Sequence, residues 1–156
     1  MARSRRHRGQ YRVRETAPSR YAPPSPAAAL TGVLLDSDII IDILRGRAGT
    51  VAELSRLETE GVATYTCAVS VAEIFAGVRA GEEARTEAFF EARGELTIDG
   101  ATGRRAGVYL ARYARTHGVE IADALIGAAA ATARLHLWTG NARHYPMEGL
   151  RLHRPS

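Results

Sequence analysis

The chain contains no lysine: all 21 of its basic residues are arginine. That absence weighs against phosphoryl chemistries in which an ammonium group steadies the phosphate. Cysteine occurs once, at Cys67, which excludes an intramolecular disulfide and a cysteine-built zinc site and fits a reducing cytoplasm. Between apolar neighbours, Cys67 reads as core packing. No apolar run approaches the ~20 residues that a membrane-spanning helix needs, and the N-terminal stretch lacks the apolar centre of a secretory signal. A cytoplasmic protein without a membrane partner is therefore expected. A glycine-rich phosphate loop is also missing, as is any internal repeat.

What remains is a folded-protein composition. At 156 residues, 46% hydrophobic and 24% charged, the chain is long enough for one domain with a substantial core. Its net charge of +4 is unevenly distributed. Seven arginines and one glutamate precede residue 30, a net +6, which leaves fourteen arginines against sixteen acids, a net −2, for the rest. Residues 1–29 are arginine- and proline-rich without apolar periodicity. They read as a disordered arm, or as an over-called start with translation beginning near Val33. The domain proper spans 30–156, and its mild acidity gives no argument for nucleic acid. Such an argument has to come from the site or the arm.

The stretch VLLDSDIIIDILRG (33–46) organises the domain. Val33, Leu34 and Leu35 predict a short strand buried on both faces, which delivers Asp36 to its carboxyl end. Asp38 precedes an apolar helix face ending at Gly46 and is expected to cap it. Asp42, near Arg45, reads as solvated helix surface. A second helix around Val51, Leu54 and Leu57 follows, then a strand over 62–67. Ser70 and Glu73 have capping-box spacing, yet a helix following a strand also carries Glu73 to the crevice that holds Asp36. Residues 82–93 predict a charged helix, and 96–99 a third strand. Gly100 opens a helix with Arg104, Arg105, Arg112 and Arg115 on its wet face, ended by His117 and Gly118.

Residues 121–135, IADALIGAAAATARL, are apolar almost all round, so this helix is expected inside, with Asp123 in its first turn. Burying an unpaired carboxylate costs several kcal/mol or more, and a helix dipole returns only ~1 kcal/mol. A cation, or a cleft shared with Asp36 and Glu73, answers that deficit better. A fourth strand over 135–139, a loop from Gly140 to Tyr145 and a last edge strand near Leu150 and Leu152 complete the chain. Alternating strands and helices predict an α/β fold, a short parallel sheet of 4–5 strands with helices on both faces. In it Asp36, Glu73, Asp123 and Asn141 converge on one edge. Carboxylates clustered without Cys or His favour a hard cation, Mg²⁺ or Mn²⁺, whose natural use is on phosphoryl oxygens.

The segments LLDSDIIIDILRG, SVAEIFAG, IADALIGAAA and WTGNARHY, in which Asp36, Glu73, Asp123 and Asn141 stand successively 37, 50 and 18 residues apart, resemble the PIN-domain ribonucleases and, within them, the toxins of VapBC-type toxin–antitoxin pairs. The resemblance implies that Asp36, Glu73 and Asp123 bind metal and that the activity is Mg²⁺-dependent cleavage of RNA phosphodiesters. It implies a small antitoxin partner and a homodimer. Asn141 stands where the family often has an acid, so only three carboxylates are secure, and residues 1–29 have no counterpart. On this reading Glu73 binds the hydrated ion or acts as general base, Asn141 with Thr139 positions phosphate or water, and Arg79 and Arg143 are candidate phosphate contacts. Two alternatives stay open: a haloacid-dehalogenase-like phosphotransferase built on Asp36-Ser37-Asp38, disfavoured by the missing lysine, and a non-catalytic module whose acidic crevice receives a basic partner.

Overall fold

The computed structural model describes residues 31–156, so the arm over 1–29 lies outside the described residues. Strand β1 (Val33–Leu35) leads into helices α1 (Ser37–Leu44) and α2 (Ala48–Thr59), and β2 (Thr64–Cys67) into α3 (Ala68–Ala76) and α4 (Glu83–Glu91). Then come β3 (Gly94–Leu96), α5 (Gly100–His117), α6 (Ile121–Ala133), β4 (His136–Trp138), a 3-10 turn at Ala142–His144 and β5 (Arg151–Leu152). The five strands form one sheet in the order β3-β2-β1-β4-β5, and every neighbouring pair is parallel.

Strand alternation divides the core into two layers. In β1, Leu34 faces the layer built on α5 and α6, with Cys67, Ala106, Tyr113 and Ile126. Val33 and Leu35 face the opposite layer, with Ile40, Leu54, Ile74, Phe89 and Trp138. The expected burial on both faces therefore holds, and Cys67 is core. Alanines 124 and 128–130 of α6 are buried, because side chains that small let the helix lie close against the sheet. None of the helices in the described residues is long and apolar enough to cross a membrane.

Several boundaries differ from the sequence expectation for identifiable reasons. β3 spans 94–96 rather than 96–99, because the strand runs past Tyr65 of β2, whose ring would lie 2.6 Å from a Cβ at residue 94. Only glycine fits there. Asp99 leaves the strand and caps α5, accepting from the Thr102 backbone N–H at 2.8 Å. α5 does end at His117, with Gly118 left-handed at φ 65°, the conformation that favours glycine. The carboxyl-terminal segment is tied down by Glu53, a buried acid on α2. It accepts two bonds from the Arg56 guanidinium, at 2.9 and 2.7 Å, and one from His153 Nε2 at 2.7 Å. The His153 ring also meets Trp138 edge to face.

Candidate active site

The chain leaves β1 to build β2 and β3 on one side, then returns to build β4 and β5 on the other. The crevice between the carboxyl ends of β1 and β4 is thus the topological switch point, where open parallel sheets bind ligands. Asp36 leaves β1 at this point and Thr139 leaves β4. The strands are locked in register there, with the Asp36 backbone N–H donating to the Trp138 carbonyl at 2.9 Å.

Asp36, not Asp38, caps α1. The helix begins at Ser37, whose backbone N–H donates to Asp36 Oδ1 at 2.8 Å. Asp36 is only 7% exposed, and burial pushes its carboxyl up to about 6. The Asp38 carboxylate adds to the rise, while the Thr139 hydroxyl, the nearby Tyr145 hydroxyl and the Ser37 N–H partly offset it. Asp38, freed from the capping role, bridges the crevice. Its Oδ1 accepts from the Ile39 N–H at 2.7 Å and its Oδ2 from the Gly140 N–H at 2.9 Å. Burial raises its pKa as well, and Asp42 and Asp123 push the same way. A Cβ on residue 140 would lie 2.9 Å from Asp38 Oδ2, so glycine at 140 is what permits this bridge.

Asp123 occupies the first turn of α6 as predicted, but it is not an unpaired buried charge. Its Oδ2 accepts from the Glu120 backbone N–H at 2.9 Å, the carboxylate half of a capping box, and its side chain is 20% exposed. The capping box expected at Ser70 and Glu73 is absent, because α3 starts directly at the end of β2, with Cys67 as its N-cap. Ser70 is consequently buried inside the helix. Glu73 instead accepts a 2.5 Å hydrogen bond from Ser37 Oγ, which fastens α3 to the first residue of α1.

Asn141 and Thr139 form the far wall. The Asn141 N–H donates to Thr139 Oγ1 at 3.0 Å, and Asn141 Nδ2 donates to His144 Nδ1 at 2.9 Å. The same ring nitrogen lies 3.4 Å from Asp123 Oδ2, a contact rather than a bond while it accepts from Asn141. Arg143 is exposed on the 3-10 turn. Arg79 is set apart from the switch point, and with Glu73, Ile41 and Arg85 it lines a cavity of about 230 Å³. Asp36, Asp38 and Asp123 therefore come together, Glu73 stands beside them through Ser37, and Arg79 does not join them. Among the described residues no arginine pairs with any of these four acids, and no three His, Cys, Asp or Glu side chains converge into a ready metal cage.

Sequence reasoning missed two members of the site. Asp38's role depends on Gly140, 102 residues away, and nothing local signals that. Tyr145, read as loop, is buried with its hydroxyl end among the acids.

A family model described as PIN domain matches residues 33–149. The chain belongs to the PIN-domain family. It is 35% identical over 115 residues to "Ribonuclease VapC19" of Mycobacterium tuberculosis, an alignment covering 73% of this chain and 92% of that protein. A chain of the FitAcB crystal structure from Neisseria gonorrhoeae superimposes with a TM-score of 0.60 at 25% identity, covering 79% of this chain and 97% of the other. A chain of DNA-bound VapBC from Salmonella typhimurium gives a TM-score of 0.67 at 22% identity, over 79% and 97%, which shows a shared fold. The matched PIN segment holds every site residue named above, and the phosphotransferase reading of Asp36-Ser37-Asp38 gives way to it.

Proposed function

We propose that the protein is a metal-dependent endoribonuclease acting as the toxin of a toxin–antitoxin pair. The observation that carries this reading is Asp36: a buried carboxylate at the switch point, flanked by Asp38 and Asp123 and paired with no cationic side chain among the described residues. Concentrated negative charge without a counter-charge fits a cation, and an all-oxygen donor set fits Mg²⁺ or Mn²⁺. Mg²⁺ keeps several waters and takes one or two carboxylates, which suits acids that surround a space without forming a tight cage. Asp36 and Asp123 would hold the ion, with Glu73 reaching it through water. When bound, it supplies Lewis-acid polarisation of a phosphoryl oxygen and a more acidic water.

The chain's own groups do the remaining work. Glu73, oriented by Ser37 Oγ, takes the proton of the attacking water as general base. Thr139 and Asn141, linked to each other at 3.0 Å, position that water or the scissile phosphate. Arg143 contacts a flanking phosphate, and Arg79, beside Glu73 in the neighbouring cavity, is a more distant phosphate contact. The partners that go with this reading are RNA, an antitoxin protein and a second copy of the chain, in the cytoplasm. Support for the antitoxin comes from the solved relatives, which are VapBC and FitAB assemblies.

The purified protein, incubated with Mg²⁺ and either a mixed RNA pool or p-nitrophenyl phosphate, tests the activity. RNA fragments without phosphomonoester turnover are the expected result. Phosphomonoester turnover with intact RNA would restore the phosphotransferase alternative, and neither activity would favour the binding module.

A further inference from the structure

Among the described residues two buried polar side-chain atoms lack a hydrogen-bond partner, Arg93 Nε and Tyr145 Oη. The Arg93 guanidinium is otherwise engaged: it stacks on the Phe89 ring at 3.7 Å, donates to the Phe89 carbonyl at 2.5 Å and approaches Glu58 at 3.3 Å. Tyr145 has no such account. Its side chain is 5% exposed and belongs to the core layer on α6. The ring packs on Gly127, where a Cβ would sit 3.4 Å from it, one helical turn beyond Asp123. The hydroxyl end lies beside Asp36 at the switch point. Phenylalanine would fill the same space without leaving a buried donor unsatisfied, so the hydroxyl needs a use.

We propose that Tyr145 is a positioning residue for the ion site: with an ion bound, its hydroxyl donates to the Asp36 carboxylate and fixes the orientation of the group that holds the ion. The inference rests on the metal-dependent reading above. Asp36 Oδ1 already accepts the Ser37 N–H and the Thr139 hydroxyl lies beside the same carboxylate, so a Tyr145 donor completes a set that leaves the carboxylate one rotational setting. Facing a carboxylate, the phenolic O–H can only donate, the complement of an acceptor-only group. Hydrogen-bond partners of metal-ligating carboxylates act in this way, and their loss typically weakens metal affinity 10- to 100-fold.

The test uses the full chain and its Tyr145→Phe variant, with Mn²⁺ affinity measured by calorimetry and the metal-free melting temperature measured in EDTA. The expected result is Mn²⁺ binding weakened about 10- to 100-fold, with a metal-free melting temperature no lower than wild type. RNA cleavage by the variant should be slow at limiting metal and recover at saturating metal. Unchanged Mn²⁺ affinity would overturn the inference, as would a lower metal-free melting temperature, which would make the hydroxyl structural. If the wild-type protein itself fails to bind Mn²⁺, the metal-dependent reading falls, and this inference with it.

Discussion

Asparagine in place of Asp36 should destroy activity and, in the same protein, stabilise the metal-free fold. The native carboxyl is raised from 3.8 to about 6 by burial and then by Asp38. A difference of that size corresponds to about 3 kcal/mol of penalty for the ionised form at pH 7.5. Between those two values the folded state binds more protons than the unfolded state, so this group makes stability rise as pH falls from about 6 toward 3.8. The penalty is present in full above about 6. Asparagine removes the charge and keeps an acceptor for the Ser37 N–H, and it caps a helix as well as aspartate does. With 3 kcal/mol as the upper bound, the gain in melting temperature should be about 3–10 °C for a domain of this size. Calorimetric melts of both proteins in EDTA at pH 7.5 and pH 5 measure it. Wild type should close about half of the gap at pH 5, and Mg²⁺ should stabilise wild type but not the variant. A variant that melts lower than wild type at pH 7.5, or a gap that ignores pH, would refute the claim that Asp36 is held at an energetic cost for the ion's sake.

Ser37→Ala removes the 2.5 Å bond to Glu73; with its general base unanchored, kcat should fall about 10-fold or more while the melting temperature moves little. Gly140→Ala places a Cβ 2.9 Å from Asp38 Oδ2, so the Asp38 carboxylate has to leave the Gly140 N–H and the variant should bind Mg²⁺ more weakly, read by calorimetry. Glu53→Gln cuts the charge shared with Arg56 and His153 and should cost about 1–3 kcal/mol, with faster amide exchange over 150–156. Arg56, first, and then His153 hold Glu53 down at about 2 against an ordinary 4.5. Its contribution is therefore full above 4.5 and is lost as pH falls toward 2, so acid melts of the variant should be flatter than those of wild type.

Which parts of this protein could be read without coordinates follows from the range of the interactions involved. Asp36 was legible because three apolar residues precede it, and a strand that ends in an acid announces a crevice. The α6 pattern marks Asp123 for the same reason, a charge inside an apolar context, while its capping bond to Glu120 sits outside that pattern. For Glu73 the sequence points to the right region and to the wrong local partner. The Ser-x-x-Glu spacing described a cap, but β2 ran into α3 without a connecting loop and buried Ser70 in the helix. Asp38 and Tyr145 were beyond local reasoning. One depends on a glycine 102 positions away, the other on how a ring packs against Gly127, and neither relation leaves a periodic trace. The shortened β3 has a similar cause, since the demand for Gly94 is made by Tyr65 on the neighbouring strand.

The central claim is that the acids at the switch point serve a divalent ion in RNA cleavage. It is tested most directly by following RNA cleavage by the purified full-length protein through chelation and metal restoration. The account predicts that EDTA abolishes cleavage, that excess Mg²⁺ or Mn²⁺ restores it, and that Asp123→Asn cleaves under neither condition. Cleavage at the full rate in EDTA, or by Asp123→Asn, would contradict it.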